Sequence, residues 1–117
     1  MYFCGEVTLD DAERALRTTR LTVTRDGDRV GVRWGKGPEL HIGLSHEPHV
    51  RLEAAEVAET HARPEIARCD RRFEVGFDDL DAVLDETNTL IEVQMTLQDV
   101  TGGYITMAWN GNLLAPG

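Results

Sequence analysis

The sequence has few aromatic residues and no long apolar run. Phe, Trp and Tyr together make up only 6% of the chain, so a folded core is expected to be mainly aliphatic. No apolar segment approaches the roughly 20 residues that a membrane-spanning helix needs. The opening segment Met1–Glu6 reaches an acidic residue too early for a secretory signal. We therefore expect a cytoplasmic protein without a membrane partner.

Cysteine is also scarce, with Cys4 and Cys69 as the two copies in 117 residues. Two thiols do not make the disulfide framework of a small secreted domain. They are expected to be reduced and to pack as small apolar side chains. A chain of this length buries about two-thirds of its unfolded surface, so it needs no disulfide or metal to fold. It is predicted to be one domain spanning residues 1–117.

Basic residues are absent from the last third of the chain. The net charge is −9, and no Lys or Arg follows Arg72, whereas eight acidic residues do. These acids are Glu74, Asp78, Asp79, Asp81, Asp85, Glu86, Glu92 and Asp99. An acidic protein repels nucleic acid and anionic membranes. The segment is either a solvated face or a surface for a basic protein partner.

Hydrophobic periodicity predicts an α+β fold. Helical spacing covers 8–19 and 50–62, and a short helix is predicted over 78–87, with Asp78 as its cap. Alternation predicts strands at 21–24, 30–34, 40–45 and 71–77. Tight turns join the first three strands, so these must form an antiparallel meander. We expect two layers: a mostly antiparallel sheet of about five to six strands, with two to three helices on one face.

The segment 90–98 is ambiguous between helix and strand. Ile91, Val93, Met95 and Leu97 alternate without a fault with polar residues, which favours a strand. Residues 99–103 would then form a turn, residues 104–109 a return strand, and residues 113–117 a tail. The polar face of this predicted hairpin carries almost no charge pairs, so two copies of the chain could pair there as a homodimer.

Histidines provide the one metal hypothesis. His41 lies on the third strand, and His46 and His49 flank the turn after it, so the three could converge. Zinc needs three or four such ligands. However, Pro48 separates two of them, and the chain has no HExxH motif and no CxxC pair. Surface histidines are the simpler interpretation, and no cofactor is predicted.

Catalytic groupings are weak. The carboxylates of residues 78–86 share an amphipathic helix whose apolar stripe faces inward, so they should face water, and acid–base catalysis requires a desolvated group. Ser45 is the only serine and lacks the elbow that a nucleophilic serine occupies. The sequence therefore favours a binding protein over an enzyme.

The predicted function is non-enzymatic binding of a basic protein, with two bacterial roles in view: an immunity-type inhibitor and a secretion-chaperone-like escort. The order of helix, three-strand meander, helix and strands is similar to that of bacterial secretion chaperones, although the closing helix with which those proteins form dimers is not evident. Trp34 and Trp109 each end a strand on its apolar side, so they are expected to pack in the core, with partly exposed aromatic anchors as the alternative. The predicted contact residues are Asp78, Asp79, Asp81, Asp85, Glu86, Glu92 and Trp109. The alternative is a small-ligand or metal-binding domain, or a small enzyme, that uses the histidines around the third strand.

Overall fold

A computed structural model describes residues 1–85, 87–106 and 112–116 of the chain. The strands of the larger sheet are β1 (Tyr2–Phe3), β2 (Thr22–Asp26), β3 (Arg29–Arg33), β4 (Leu40–Ser45) and β5 (Arg71–Phe77). The helices are α1 (Leu9–Leu16), α2 (Pro48–Thr60), α3 (Leu80–Asp85) and α4 (Thr87–Thr101), with a 3₁₀ helix at Pro64–Arg68. A short hairpin consists of β6 (Ile105–Thr106) and β7 (Leu113–Leu114).

The larger sheet confirms the predicted α+β fold. Its five strands run antiparallel in the order β1-β5-β4-β3-β2. Asp26 pairs with Arg29, so Gly27 and Asp28 form a two-residue hairpin turn, and Gly27 has the positive φ of 59° that such a turn demands. The meander predicted from alternation is therefore present, and β5 continues it on the side of β4.

The main core lies between one face of the sheet and helices α1 and α4. Leu9, Ala12 and Leu16 recur at helical spacing along α1 and are buried. Inward-facing residues of the strands, such as Val30 and Ile42, complete the layer. Thr8 caps α1 by a reciprocal pair of hydrogen bonds with Asp11. The first predicted helix thus begins where the sequence places its cap.

A second, smaller core cluster surrounds Tyr2. Phe3 joins the main core and stacks on Phe73 with ring centroids 4.9 Å apart, so Tyr2 must point to the opposite face of the sheet. There it packs with α2 and the 3₁₀ helix through Ala54 and Ile66. Helix α2 thus packs on the opposite face of the sheet from α1 and α4, whereas the sequence predicted the helices on one face.

The prediction of a strand at 90–98 is wrong, because this segment lies inside helix α4. The buried residues of α4 are adjacent pairs that recur every four positions, as on one face of a helix. The four apolar residues that alternate in the sequence therefore differ in burial. Val93 and Leu97 are fully buried, whereas Ile91 is 52% exposed and Met95 is 47% exposed. Gln94 and Gln98 occupy the inner face, so polarity was a poor guide to which side faces water.

The C-terminal segment also departs from the prediction. Residues 99–101 belong to α4 and not to a turn, and the chain reverses at Gly102, whose φ is +64°. Leu113 and Leu114 pair with β6 and are not a free tail. Of the predicted strand at 104–109, Tyr104 forms an isolated bridge with Tyr2 and Ile105–Thr106 forms β6, while residues 107–109 lie outside the described residues. Within the described part of the chain, no helix is long and apolar enough to cross a bilayer.

Candidate protein-binding surface

Helix α3 begins in the acidic segment through a local hydrogen bond. The carboxylate of Asp79 accepts from the backbone N–H of Ala82 at 3.2 Å, and its carbonyl accepts from Val83 N–H. This is the N-cap arrangement, which satisfies donors that a helix start leaves free. The cap residue is therefore Asp79. The prediction of Asp78 from the sequence is wrong.

The outer faces of α3 and α4 expose large apolar side chains. Ile91 and Met95 are one helical turn apart, so they lie on the same side of α4, and each is about half exposed. Leu84 on α3, the helix that packs against α4, is 38% exposed. We use the name α3–α4 surface for these apolar residues together with three carboxylates of the same two helices. Its members are Asp81, Leu84, Asp85, Ile91, Glu92 and Met95.

The acids of this surface have no basic counterpart. The ten ion pairs among described residues all lie between Asp10 and Glu74. Asp78, Asp79, Asp81 and Asp85 are exposed, and Glu92 is half-buried. None of the five forms an ion pair with a described Lys, Arg or His. Of the acids that follow Arg72 in the sequence, Glu74 pairs with Arg72, whereas these five have no ion pair among the described residues.

A small cleft at the start of α4 brings an exposed tryptophan close to one of these acids. The cleft has a volume of about 200 Å³ and is lined by Arg20, Leu21, Trp34, Asn88, Thr89 and Glu92. Trp34 is 46% exposed, and the guanidinium of Arg20 lies 5.7 Å from its ring centroid. Trp34 is therefore a partly exposed aromatic at the end of β3 and not a core residue.

The structure describes five of the seven predicted contact residues. Glu86 and Trp109 lie outside the described residues. Of the remaining predicted set, Asp81, Asp85 and Glu92 are on the α3–α4 surface, and Asp78 and Asp79 immediately precede it.

The histidines of the metal hypothesis are not brought together. His41 faces Glu39, with 3.3 Å between Nδ1 and Oε1, and His49 lies 3.4 Å from Glu47 in the same way. His46 lines a separate cleft at the start of α2. Across the described residues, no three His, Cys, Asp or Glu side chains form a possible metal site.

Sequence reasoning missed a polar cluster around Arg72. The guanidinium of Arg72 donates to Glu53, Glu74 and the hydroxyl of Tyr2. Burial alone would lower the pKa of Arg72, but its bonds to Tyr2 and Glu74 raise it above the ordinary value. These bonds join β1, α2 and β5, and the Nε of Arg72 is the one buried donor of the cluster without a partner among the described residues.

A second feature missed from the sequence is a cavity beside Gln94. It has a volume of about 170 Å³ and is lined by Met1, Val75, Phe77, Leu90, Gln94, Ile105 and Thr106. Gln94 is only 7% exposed, and its side-chain amide makes no hydrogen bond with any described residue. The amide of Gln94 lines this cavity, so a polar group that enters the cavity can form a hydrogen bond with it.

Comparison with known protein families, characterised proteins and solved structures finds no match for this chain.

Proposed function

We propose that the protein is a non-enzymatic binding module that engages a basic protein partner through the α3–α4 surface. The observation that supports this is the combination of exposed apolar side chains, Ile91 and Met95, with carboxylates of the same two helices that form no ion pair with any described basic residue. Inhibition of a basic toxin or enzyme, and escort of a basic protein, are the two roles that such a surface serves.

The expected partner follows from charge complementarity. Burying Ile91 and Met95 removes apolar area from water, which favours association by roughly 25 cal/mol per Å² before the costs of binding are counted. Asp81, Asp85 and Glu92 then attract Lys or Arg at the rim of the contact and speed the encounter. The matching partner presents apolar residues flanked by basic ones, as an amphipathic basic helix does.

A synthetic helical peptide with a Leu face bordered by Lys tests this proposal. NMR titration should perturb the signals of Ile91 and Met95 first. Asp81→Asn with Asp85→Asn should weaken binding about tenfold at low salt and reduce its salt dependence, because fewer charges attract the peptide. Ile91→Ser should weaken binding at all salt concentrations.

Helix α2 offers matched controls for both changes. Glu56→Gln with Glu59→Gln removes two exposed charges from another helix, and Leu52→Ser removes a leucine that is 70% exposed there. These variants should bind the peptide as the parent does. Perturbations centred on α2, or equal losses in both sets of variants, would show that the α3–α4 surface is not the binding site.

The cavity beside Gln94 supports a second candidate function, which is binding of a small molecule. An apolar cavity of about 150 Å³ is known to hold a benzene-sized molecule. The amide of Gln94 can both donate and accept. The expected ligand therefore has an apolar body of that size and one hydroxyl, carboxylic acid or amide group. This site differs from the one suggested by the histidines.

Benzyl alcohol and benzene distinguish this candidate from a water-filled cavity. Benzyl alcohol should shift the methyl signals of Leu90 and Ile105, and Gln94→Leu should weaken its binding while leaving or improving that of benzene, since the variant has no amide to satisfy. If neither probe shifts these methyl signals at millimolar concentration, the cavity does not bind small molecules.

A further inference from the structure

The fold brings together the two cysteines of the sequence, Cys4 and Cys69. Cys4 directly follows β1, and Cys69 lies two residues before β5. These strands pair antiparallel with Phe3 opposite Arg71, so the next step along the ladder places Cys4 beside the segment that contains Cys69. Residues so far apart in sequence meet here only because β1 is an edge strand on β5.

The two thiols differ in environment. Cys4 is exposed, whereas Cys69 is 2% exposed within the Tyr2 cluster. Burial, followed by the interaction with Cys4, raises the pKa of Cys69 to about 12, so this thiol stays protonated at neutral pH. An oxidant therefore reaches Cys4 first, and Cys69 is the second thiol, which can react with the oxidised Cys4.

We propose that Cys4 and Cys69 are a redox modification site, which a hydroperoxide such as hydrogen peroxide converts into an intramolecular disulfide. The disulfide would link β1 to the end of the 3₁₀ helix.

The reaction proceeds in two balanced steps. The sulfur of Cys4 attacks one oxygen of hydrogen peroxide, the O–O bond breaks, and Cys4 becomes a sulfenic acid while one water leaves. The sulfur of Cys69 then attacks the sulfenic sulfur, the S–O bond breaks, and the thiol proton leaves with the hydroxyl group as a second water. The two thiols together lose two electrons, and the peroxide is reduced to two waters.

The disulfide would form next to β1, the strand that connects the larger sheet to the C-terminal hairpin. Strand β1 has only two residues, yet it contacts both β5 and the C-terminal hairpin, because Tyr2 and Tyr104 exchange two backbone hydrogen bonds of 2.9 and 2.8 Å. A covalent link at Cys4 fixes the end of this short strand. Oxidation is therefore expected to stabilise the contact between the larger sheet and the hairpin.

Stoichiometric hydrogen peroxide on the purified chain tests the proposal. The parent should lose the mass of two hydrogen atoms, and non-reducing trypsin digestion should yield peptides 1–14 and 69–71 joined together. Because the disulfide closes a long loop, the Tm should rise by about 5–15 °C and return to its starting value with reductant.

Cys4→Ser and Cys69→Ala are the control variants, and neither should form the joined peptides or gain thermal stability with peroxide. Cys4 is exposed, so Cys4→Ser keeps the comparison valid even where the buried substitution impairs folding. The proposal is overturned by a parent chain that takes up oxygen without losing hydrogen, by cross-links between chains, or by a linked chain that melts no higher than the reduced one.

Discussion

The guanidinium of Arg72 donates a hydrogen bond to the carboxylate of Glu53, and this pair joins strand β5 to helix α2. The same guanidinium lies 5.7 Å from the ring centroid of Tyr2 on β1. Three elements distant in sequence therefore meet at one side chain, whose Nε is buried without a partner among the described residues.

Arg72→Met should destabilise the protein by about 1–3 kcal/mol, because it removes several charge-assisted hydrogen bonds at a partly buried position. Urea denaturation measures the change. Glu59→Gln, on the exposed side of α2, is the control and should stay within about 0.5 kcal/mol. Equal effects of the two substitutions would mean that the Arg72 cluster contributes no more than an ordinary surface charge.

Two glutamines on the inner face of α4 should respond oppositely to the same substitution. Gln98 donates to the carbonyl of Gly103 at 3.0 Å and to that of Leu114 at 3.2 Å, which ties the C-terminal hairpin to the helix. Gln98→Leu should cost about 1–3 kcal/mol, since it leaves these carbonyls unpaired, and should speed proteolysis near the C-terminus.

Gln94→Leu is the matched control on the same helix. The amide of Gln94 bonds to no described residue, so its replacement by an apolar side chain should be neutral or stabilising. Measured by urea denaturation, a large loss of stability in Gln94→Leu would show that its amide has a partner.

The start of α3 gives a test of the corrected cap. Asp79→Ala should reduce stability by about 0.5–2 kcal/mol, because the backbone N–H of Ala82 loses its acceptor. Asp78→Ala, one residue earlier, should change stability by less than about 0.5 kcal/mol. Thermal denaturation of the two variants decides between them, and a larger effect at Asp78 would restore the prediction made from the sequence.

Ala62 adopts a left-handed backbone conformation with φ of 53°, directly after His61, the C-cap residue of α2. Glycine avoids the steric cost of this conformation, so Ala62→Gly should stabilise the protein by up to about 1 kcal/mol. Ala55→Gly, at an exposed position inside α2, should instead destabilise it by about 1 kcal/mol. In chemical denaturation, the free energy of unfolding should rise in Ala62→Gly and fall in Ala55→Gly. A fall in both variants would contradict the prediction.

Cys69 should make stability depend on alkaline pH under reducing conditions. Its pKa is raised from 9.0 to about 12 by burial and by Cys4, so the folded protein holds this proton more tightly than the unfolded chain. The stability that this contributes is fully present below pH 9 and is lost as the pH rises towards 12. Relative to Cys69→Ala, the parent should lose stability over that range, and parallel pH profiles would contradict the assignment.

Much of the fold could be predicted because its local patterns agree with its tertiary contacts. The capping residue Thr8, the Gly27 turn and the alternation along β3 and β4 each specify a structure through interactions between near neighbours. The strand prediction for 90–98 was wrong because the local pattern of this segment disagrees with its tertiary contacts. Ile91 and Met95 are apolar but exposed, while Gln94 and Gln98 are polar but buried, so the hydrophobic pattern pointed to the wrong period.

The sequence by itself determined the α+β class, the antiparallel meander and the imbalance of charge after Arg72, because these depend on composition and short-range order. Only the tertiary structure decided which acids lie beside exposed apolar residues, and only it brought Cys4 to Cys69. Both depend on contacts between segments far apart in the chain, which form when the sheet and its helices bury their apolar faces together.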